Sequence, residues 1–252
     1  IGLLGWSLQN NRDPLNAALE AAPALISICF GPYEAEVDAV RGAGIVFATQ
    51  VGTVEEALAA ERCGVDLIVV RGREGGGHGM NEVGTLALLQ AVLDAVDRPV
   101  LGAGGLSGSG GLAAVLAAGA VAGWAGTAFM ACPEAETAAG AKQRLFAASE
   151  TDTAYGRVFD VAQRLDWPER YGGRALRNAF FDRWVGQYDA LAADQAPVEE
   201  LRSARQAGDF DVAPIYAGQG VGMLREERPA ARVVEEFARA DEKLRRALDS
   251  AS

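Results

Sequence analysis

The sequence predicts an α/β fold organised around a parallel sheet, and three observations lead to this prediction. Six short segments are apolar at nearly every position rather than at alternate positions, which indicates strands covered on both faces. Helical patterns lie between these segments, and a glycine often stands where a helix has to end before the next strand. Half of the 252 residues are hydrophobic, so the chain can bury a core large enough for one α/β barrel or for two smaller domains.

The predicted elements follow one another at the spacing of right-handed βαβ units. Thr53 and Glu56 have the capping-box pattern that begins a helix, and residues 86–96 place apolar side chains on one helical face. Gly44, Gly64 and Gly119 stand just before strands, where a left-handed residue closes the preceding helix. The predicted strands are 1–7, 24–30, 45–50, 66–71, 99–103 and 121–129.

Six units of this kind would nearly complete a (β/α)₈ barrel, which needs eight strands to close. The chain begins at Ile1, already inside an apolar run, and this run lacks the basic start and cleavage site of a signal peptide. Either two further strands precede Ile1, or the sheet is open.

The pattern changes after residue 147, which predicts a division of the chain into two parts. We expect the barrel strands and helices in residues 1–147 and a helical C-terminal segment in residues 148–252. Helices predicted at 174–191 and 229–248 flank the glycine-rich stretch 217–223. This stretch either returns to the mouth of the barrel or is a plain connector.

Charge and cysteine content exclude several classes of partner. The 34 acidic and 23 basic residues give a net charge of −11, which would repel a nucleic-acid backbone. Residues 99–133 carry no charge, but repeated glycines break this stretch, and a buried strand, turn, helix and strand explain it better than a membrane span. Cys29, Cys63 and Cys132 have no metal-ligand spacing, which is typical of reduced thiols in a cytoplasmic protein.

The best single clue to function is the loop after the fourth predicted strand. It contains His78, the only histidine in the chain, directly after three consecutive glycines. An imidazole titrates near neutral pH, and glycines let a ligand approach the backbone closely. Taken alone, the histidine is equally consistent with a hydrogen-bonded structural residue, and the glycine run is equally consistent with a flexible turn.

Two further glycine-rich stretches predict a phosphate site. Gly104 and Gly105 follow the fifth predicted strand, and Gly126 and Thr127 lie late in the sixth. In a parallel barrel, the carboxyl ends of the last two strands bind phosphate through glycine amides and a short helix. The rival is a dinucleotide fingerprint at residues 108–113, which lacks the acidic residue expected about 20 positions later.

No other type of catalytic centre is indicated. The histidine has no nucleophile elbow to serve, and one histidine with scattered cysteines cannot complete a zinc shell. An imidazole, a glycine-lined phosphate site and an apolar mouth instead suit a cofactor that carries the chemistry.

Three of these motifs, in this order, make the chain resemble the nitronate monooxygenase family, formerly called 2-nitropropane dioxygenases. They are residues 74–79, 99–106 and 126–129. The tail adds similar segments at residues 167–168, 173–178 and 217–222. The resemblance covers essentially the whole chain, and three motifs in order are more specific than any one of them.

The resemblance implies an FMN-binding (β/α)₈ barrel whose third strand is the first strand seen here. It implies that His78 is the active-site histidine and that Gly76 lies against the flavin. Arg71 stands where the family usually has glutamine and would add positive charge near the flavin or the substrate, and Gly75 stands where the family usually has alanine. The residues expected to bind the cofactor are Arg71, Gly76, Gly77, Gly104, Gly105, Gly126 and Thr127; no metal site is expected.

The function implied is FMN-dependent oxidation of alkyl nitronates by dioxygen. Its partners would be a small nitronate and dioxygen, with no nucleic acid or membrane, and an oligomer is compatible with the sequence. One alternative is a flavin-dependent enoyl-thioester reductase, which shares the Gly-Gly-His loop and uses a reduced nicotinamide. A second is a flavin-binding module without catalysis.

Overall fold

The computed structural model describes residues 1–251 and has an α/β organisation. Within these residues the strands are β1 (Gly2–Leu4), β2 (Leu25–Cys29), β3 (Val46–Val51), β4 (Leu67–Arg71), β5 (Gly77–Gly79), β6 (Val100–Ala103), β7 (Ala122–Trp124), β8 (Thr153–Gly156) and β9 (Gly172–Leu176). The helices are α1 (Gly5–Leu8), α2 (Asp13–Glu20), α3 (Glu34–Gly42), α4 (Val54–Arg62), α5 (Thr85–Leu93), α6 (Ser109–Ala117), α7 (Thr127–Met130), α8 (Ala139–Ala147), α9 (Val158–Ala162), α10 (Ala179–Trp184), α11 (Tyr188–Ala193), α12 (Ala196–Ala207), α13 (Ala230–Ala238) and α14 (Ala240–Ala251), with a 3₁₀ turn at Gln219–Met223.

The chain forms two compact units that alternate along the sequence. The first unit comprises Ile1–Arg73, Glu82–Ala103 and Val115–Trp124. The second comprises Glu74–Asn81, Gly104–Ala114 and the chain from Ala125 onwards, so it contains the segments that follow β4, β6 and β7. The division expected at residue 147 stays a prediction, and Ser252, the end of that predicted segment, lies outside the described residues.

The first unit is built on a parallel sheet with the strand order β1-β2-β3-β4-β6-β7. Each strand pairs with the one that precedes it in this sheet, as in a barrel, whereas a doubly wound dinucleotide-binding sheet reverses its order part of the way through. Ile26, Phe47, Ile68 and Val70 are completely buried, because helices cover the strands that carry them. The continuous apolar pattern of these strands is therefore explained by burial.

The helix ends in this unit match the sequence signals. Gly44, Gly64 and Gly119 have φ values of +74°, +81° and +112°, which glycine adopts without the cost that a Cβ would impose. At the start of α4, the Thr53 hydroxyl accepts a hydrogen bond from the backbone N–H of Glu56 at 3.1 Å. Both predictions are confirmed.

Two predicted strands end earlier than expected. The predicted strand 1–7 stops at Leu4 and gives way to α1, and the predicted strand 121–129 stops at Trp124, before α7. In both places an apolar run continues through a change of secondary structure, because the short helix that follows is also partly buried. An apolar run by itself does not distinguish a buried strand from a buried helical turn.

The C-terminal residues are not purely helical, contrary to the prediction. Strands β8 and β9 pair antiparallel, and β5 adds to the other edge of β9. The predicted helix 174–191 therefore begins as a strand, and the predicted helix 229–248 is divided at Arg239 into α13 and α14. The core of this second unit contains Phe159, Phe180, Phe181, Leu191 and Leu201. No helix within residues 1–251 is long and apolar enough to cross a bilayer.

Candidate active site

The strand that carries His78 is held firmly within the second unit. His78 lies opposite Gly173 in the antiparallel pair of β5 and β9. The Tyr155 hydroxyl donates to the carbonyl of Gly79 at 2.8 Å and accepts from the N–H of Gly172 at 2.8 Å. Backbone pairing and this tyrosine therefore fix the strand that carries the imidazole, so His78 does not lie on a flexible turn, and its catalytic role stays a prediction.

Three side chains surround the His78 ring. The Nε2 atom of His78 lies 2.7 Å from Oδ1 of Asp160, and the two side chains are only 12% and 3% exposed. The Trp167 indole is stacked on the imidazole with ring centroids 3.6 Å apart and planes within 2° of parallel. The Tyr216 ring lies 5.4 Å away at a tilt of 43°. The imidazole is thus covered on one face, paired with a carboxylate at one nitrogen and largely shielded from water.

Tyr216 supplies a neutral phenol beside this pair. Burial raises its pKa well above the ordinary range, and the negative charge of Asp160 raises it further, against a hydrogen bond with Gln163 that lowers it. A Cβ at Gly173 would lie 2.7 Å from Cε1 of Tyr216, so glycine is required there for the phenol ring to lie near His78. Tyr216 is therefore a hydrogen-bonding group and not a base at neutral pH.

Residues 216–220, which we call the return segment, bring the glycine-rich motifs together. A Cβ at Gly76 would lie 2.5 Å from the backbone nitrogen of Gly218, and the N–H of Gly218 donates to the hydroxyl of Thr127 at 3.0 Å. The N–H of Gln219 donates to the carbonyl of Glu74 at 2.9 Å. This stretch therefore packs against the His78 loop, and its return to the mouth of the barrel stays a prediction.

Five glycines at the site fall into two groups. Gly76, Gly218 and Gly220 are packed so closely that an added Cβ would lie 2.3–2.6 Å from its nearest neighbouring atom. Gly77 and Gly126 have no other protein atom within 4 Å of an added Cβ, apart from their chain neighbours. The first group is required by packing within the protein, whereas the backbone of the second can be approached by a ligand.

Ser107 is the polar group at this site that packing leaves unexplained. Its Oγ atom is buried and has no hydrogen-bond partner within the part of the chain that the structure describes. It follows Gly104 and Gly105, which have φ values of +107° and +76°. A buried hydroxyl without a partner is costly, so a ligand with acceptor oxygens would fit here. The residues present therefore suit a phosphorylated cofactor.

The structure gathers most of the predicted site residues in the second unit. Four of them lie next to residues 216–220, namely His78, Gly76, Gly105 and Thr127. The predicted residues Gly77, Gly104 and Gly126 belong to the same unit. Arg71 belongs to the first unit, where it is buried at the end of β4 and paired in register with Ala103. The cofactor roles of all these residues stay predictions.

Sequence reasoning missed Asp160 and Tyr216. Asp160 is 82 positions from His78 and lies in a short helix with no motif of its own. Tyr216 directly precedes the glycine-rich stretch 217–223, and Trp167 lies in the tail segment 167–168 that resembles the family. The sequence therefore contains a signal from which both residues could have been found. No group of three or more potential metal-ligating side chains occurs among the described residues.

Comparison with known proteins gives a consistent result. A family model described as nitronate monooxygenase matches residues 9–239. A nitronate monooxygenase of Pseudomonas aeruginosa is 33% identical over 88% of this chain and 65% of its own length. The chain spans 62 to 64% of the length of the first curated relatives it matches.

Two solved structures are similar over almost the whole chain. A nitroalkane oxidase from Streptomyces ansochromogenes is 34% identical, with a TM-score of 0.77, over 93% of this chain and 68% of that one. FabK from Thermotoga maritima is 24% identical, with a TM-score of 0.83, over 100% of this chain and 78% of that one. The predicted (β/α)₈ barrel class is confirmed by these likenesses.

Proposed function

Because the chain belongs to the nitronate monooxygenase family, we propose that it acts as an FMN-dependent oxidoreductase that oxidises alkyl nitronates with dioxygen. The observation that carries this proposal is the buried His78 imidazole, fixed by Asp160 and Trp167 beside the glycine-rich return segment. A histidine held in this way can act on a small anion in a site from which water is largely excluded.

The proposed cofactor residues follow from the fit described above. Gly104, Gly105, Gly126 and Thr127 would hold the FMN phosphate, and the Ser107 hydroxyl would donate to it. In this proposal Gly76, Gly77 and Arg71 would be the residues near the flavin, as the sequence predicts. When bound, the flavin accepts electrons from the substrate and delivers them to dioxygen.

His78 would bind and orient the substrate. A nitronate carries its negative charge largely on the two nitro oxygens, so an N–H of the imidazole can donate to one of them. With a neutral nitroalkane, an unprotonated ring nitrogen can accept the proton from the carbon beside the nitro group. Trp167 covers one face of the ring, so the substrate would approach at the ring edge.

Anaerobic stopped-flow spectroscopy tests this function. The protein loaded with FMN should be reduced rapidly by propyl-2-nitronate and only slowly by NADH or NADPH. The opposite result would favour the enoyl-thioester reductase. The likeness to FabK shows a shared fold only and does not support either activity. A protein that binds FMN but is reduced by neither would be a flavin-binding module.

The variant His78→Ala separates binding from catalysis. We expect it to keep the flavin absorbance and to lose at least about 100-fold in turnover, the usual contribution of a positioned acid or base. Unchanged turnover would exclude His78 from catalysis. A cytoplasmic location and reduced cysteines belong to the same proposal, and they can be checked by fractionation and thiol titration.

A further inference from the structure

We propose that Asp160 is a positioning residue that keeps a hydrogen on Nε2 of His78 and thereby presents Nδ1 to the reactant. This inference rests on the proposed function only for the identity of that reactant. The tautomer itself is a property of the chain and can be measured without substrate or flavin.

The geometry of the pair defines the roles of the two ring nitrogens. An ionised carboxylate can only accept hydrogen bonds, so a separation of 2.7 Å between Oδ1 of Asp160 and Nε2 of His78 requires the hydrogen to be on Nε2. A neutral imidazole has one donor nitrogen and one acceptor nitrogen. With Nε2 as the donor, Nδ1 becomes the acceptor.

Asp160 is well placed to impose this state because its helix is anchored in the core. Val158, Phe159 and Ala162 of α9 are buried, and the Phe159 ring lies 6.1 Å from the ring of Phe180. The carbonyl of Asp160 also accepts a hydrogen bond from the N–H of Leu165 at 3.1 Å. The backbone that carries the carboxylate is therefore anchored, and the imidazole keeps its 2.7 Å contact with Oδ1 only in the orientation that this position allows.

Trp167 restricts the imidazole in the remaining direction. The indole lies parallel to the ring at a centroid separation of 3.6 Å, so a tilt of the imidazole would cost stacking contacts. Rotation within the plane of the stack would break the pair with Asp160. Together these contacts leave the Nδ1 edge of His78 as the edge for a reactant.

The consequence for chemistry is that one atom performs both possible roles. With a charged ring, Nδ1–H donates to a nitronate oxygen. With a neutral ring, Nδ1 takes the proton from the carbon of a nitroalkane: the C–H bond breaks, its electron pair moves into the nitro group, and the N–H bond forms. The charge that then develops on the ring is stabilised by Asp160.

Nitrogen NMR measures the tautomer directly because His78 is the only histidine in the 252-residue chain. We would label histidine with ¹⁵N, omit any polyhistidine tag, and raise the pH until the ring shifts stop changing. We expect a protonated-type signal for Nε2 and an unprotonated-type signal for Nδ1. The reverse assignment, or two averaged signals, would overturn the proposal, and this arm needs no variant.

The variant Asp160→Asn should weaken or reverse this preference. A carboxamide can also donate to Nε2, which stabilises the tautomer that carries its hydrogen on Nδ1. Asp166→Asn is the matched control, because Asp166 is an exposed carboxylate next to Trp167. We expect the control to keep the wild-type ¹⁵N shifts. Wild-type shifts in Asp160→Asn, in a sample with a wild-type circular dichroism spectrum, would contradict the role of Asp160.

Turnover links the tautomer to the proposed function. With a neutral nitroalkane as the substrate, we expect Asp160→Asn to lower kcat by about 100-fold or more while KM changes little, since proton transfer to Nδ1 and stabilisation of the resulting ring charge are lost rather than substrate contacts. Should the ¹⁵N shifts be as expected while the wild type fails to oxidise nitronates, the proposed function would be wrong and the role of Asp160 would stand. An altered tautomer with normal kcat would refute the link to catalysis.

Discussion

The return segment allows no side chain at Gly220, and substitution of this residue tests the packing that brings the glycine-rich motifs together. A Cβ at Gly220 would lie 2.3 Å from Oγ of Ser107 and 2.5 Å from the carbonyl oxygen of Gly105. The serine hydroxyl can rotate away, but the Gly105 carbonyl is backbone and cannot. Gly220→Ala therefore has to push residues 216–220 away from the loop that contains Gly105.

The expected loss of stability follows from the steric overlap of the added methyl group. Overpacking of this kind typically costs about 1–3 kcal/mol. A loss of 1 kcal/mol lowers the Tm of a chain of this size by about 2–4 °C, so we expect a fall of about 2–12 °C for Gly220→Ala. The Gln219 N–H, which donates to the carbonyl of Glu74 at 2.9 Å, should also exchange with solvent faster than in the wild type.

Thermal unfolding followed by circular dichroism, together with amide hydrogen exchange, checks these expectations. Gly110→Ala is the control, because it makes the same chemical change in α6 where no other atom lies within 4 Å of the added methyl. We expect its Tm to be unchanged or slightly higher, since alanine favours a helix over glycine. If Gly220→Ala melted within 1 °C of the wild type with unchanged exchange at Gln219, the tight packing of the return segment would be refuted.

Three further predictions concern hydroxyl, carboxylate and thiol groups. Ser107→Ala should raise the Kd for FMN by about 10- to 100-fold, the effect of losing a hydrogen bond to a charged group, and should leave the affinity for riboflavin unchanged. Ser109→Ala is the control, because the Ser109 hydroxyl already donates to Glu236 at 2.8 Å. An equal loss of FMN affinity in Ser109→Ala would contradict the prediction. The hydrogen bond from Ser109 lowers the pKa of Glu236 below its ordinary value, so it stabilises the protein above that ordinary pKa, and the stabilisation is lost as the pH falls through the lowered pKa. The stability difference between Ser109→Ala and wild type, measured by urea unfolding, should accordingly shrink in acid, and a constant difference would argue against it. With a thiol reagent at pH 8, the partly exposed Cys63 should react before Cys29, because burial raises the pKa of the Cys29 thiol to about 11. Mass spectrometry can identify the labelled residue, and early labelling of Cys29 would refute this prediction.

The errors in secondary structure have a common cause. Strand β9 begins Gly172-Gly173-Arg174, and β5 is Gly77-His78-Gly79, so neither shows the alternating or continuous apolar pattern from which strands are recognised. They form because each supplies hydrogen bonds to the other, and such pairing has no local signal. The sheet that fixes the histidine was for this reason invisible in the sequence, whereas the parallel strands were not.

What the sequence determined by itself was the parallel strand order of β1–β4, β6 and β7 and the position of the glycine-rich loops. Buried parallel strands are apolar throughout, and left-handed helix ends demand glycine, so both leave a local pattern. His78 could be chosen because it stands alone beside three glycines. Only the tertiary structure decided that Asp160, 82 residues away, pairs with His78 and that Tyr216 lies beside it. An aspartate in a short helix has many possible roles, and its role is set by the side chain that folding brings within 2.7 Å of it.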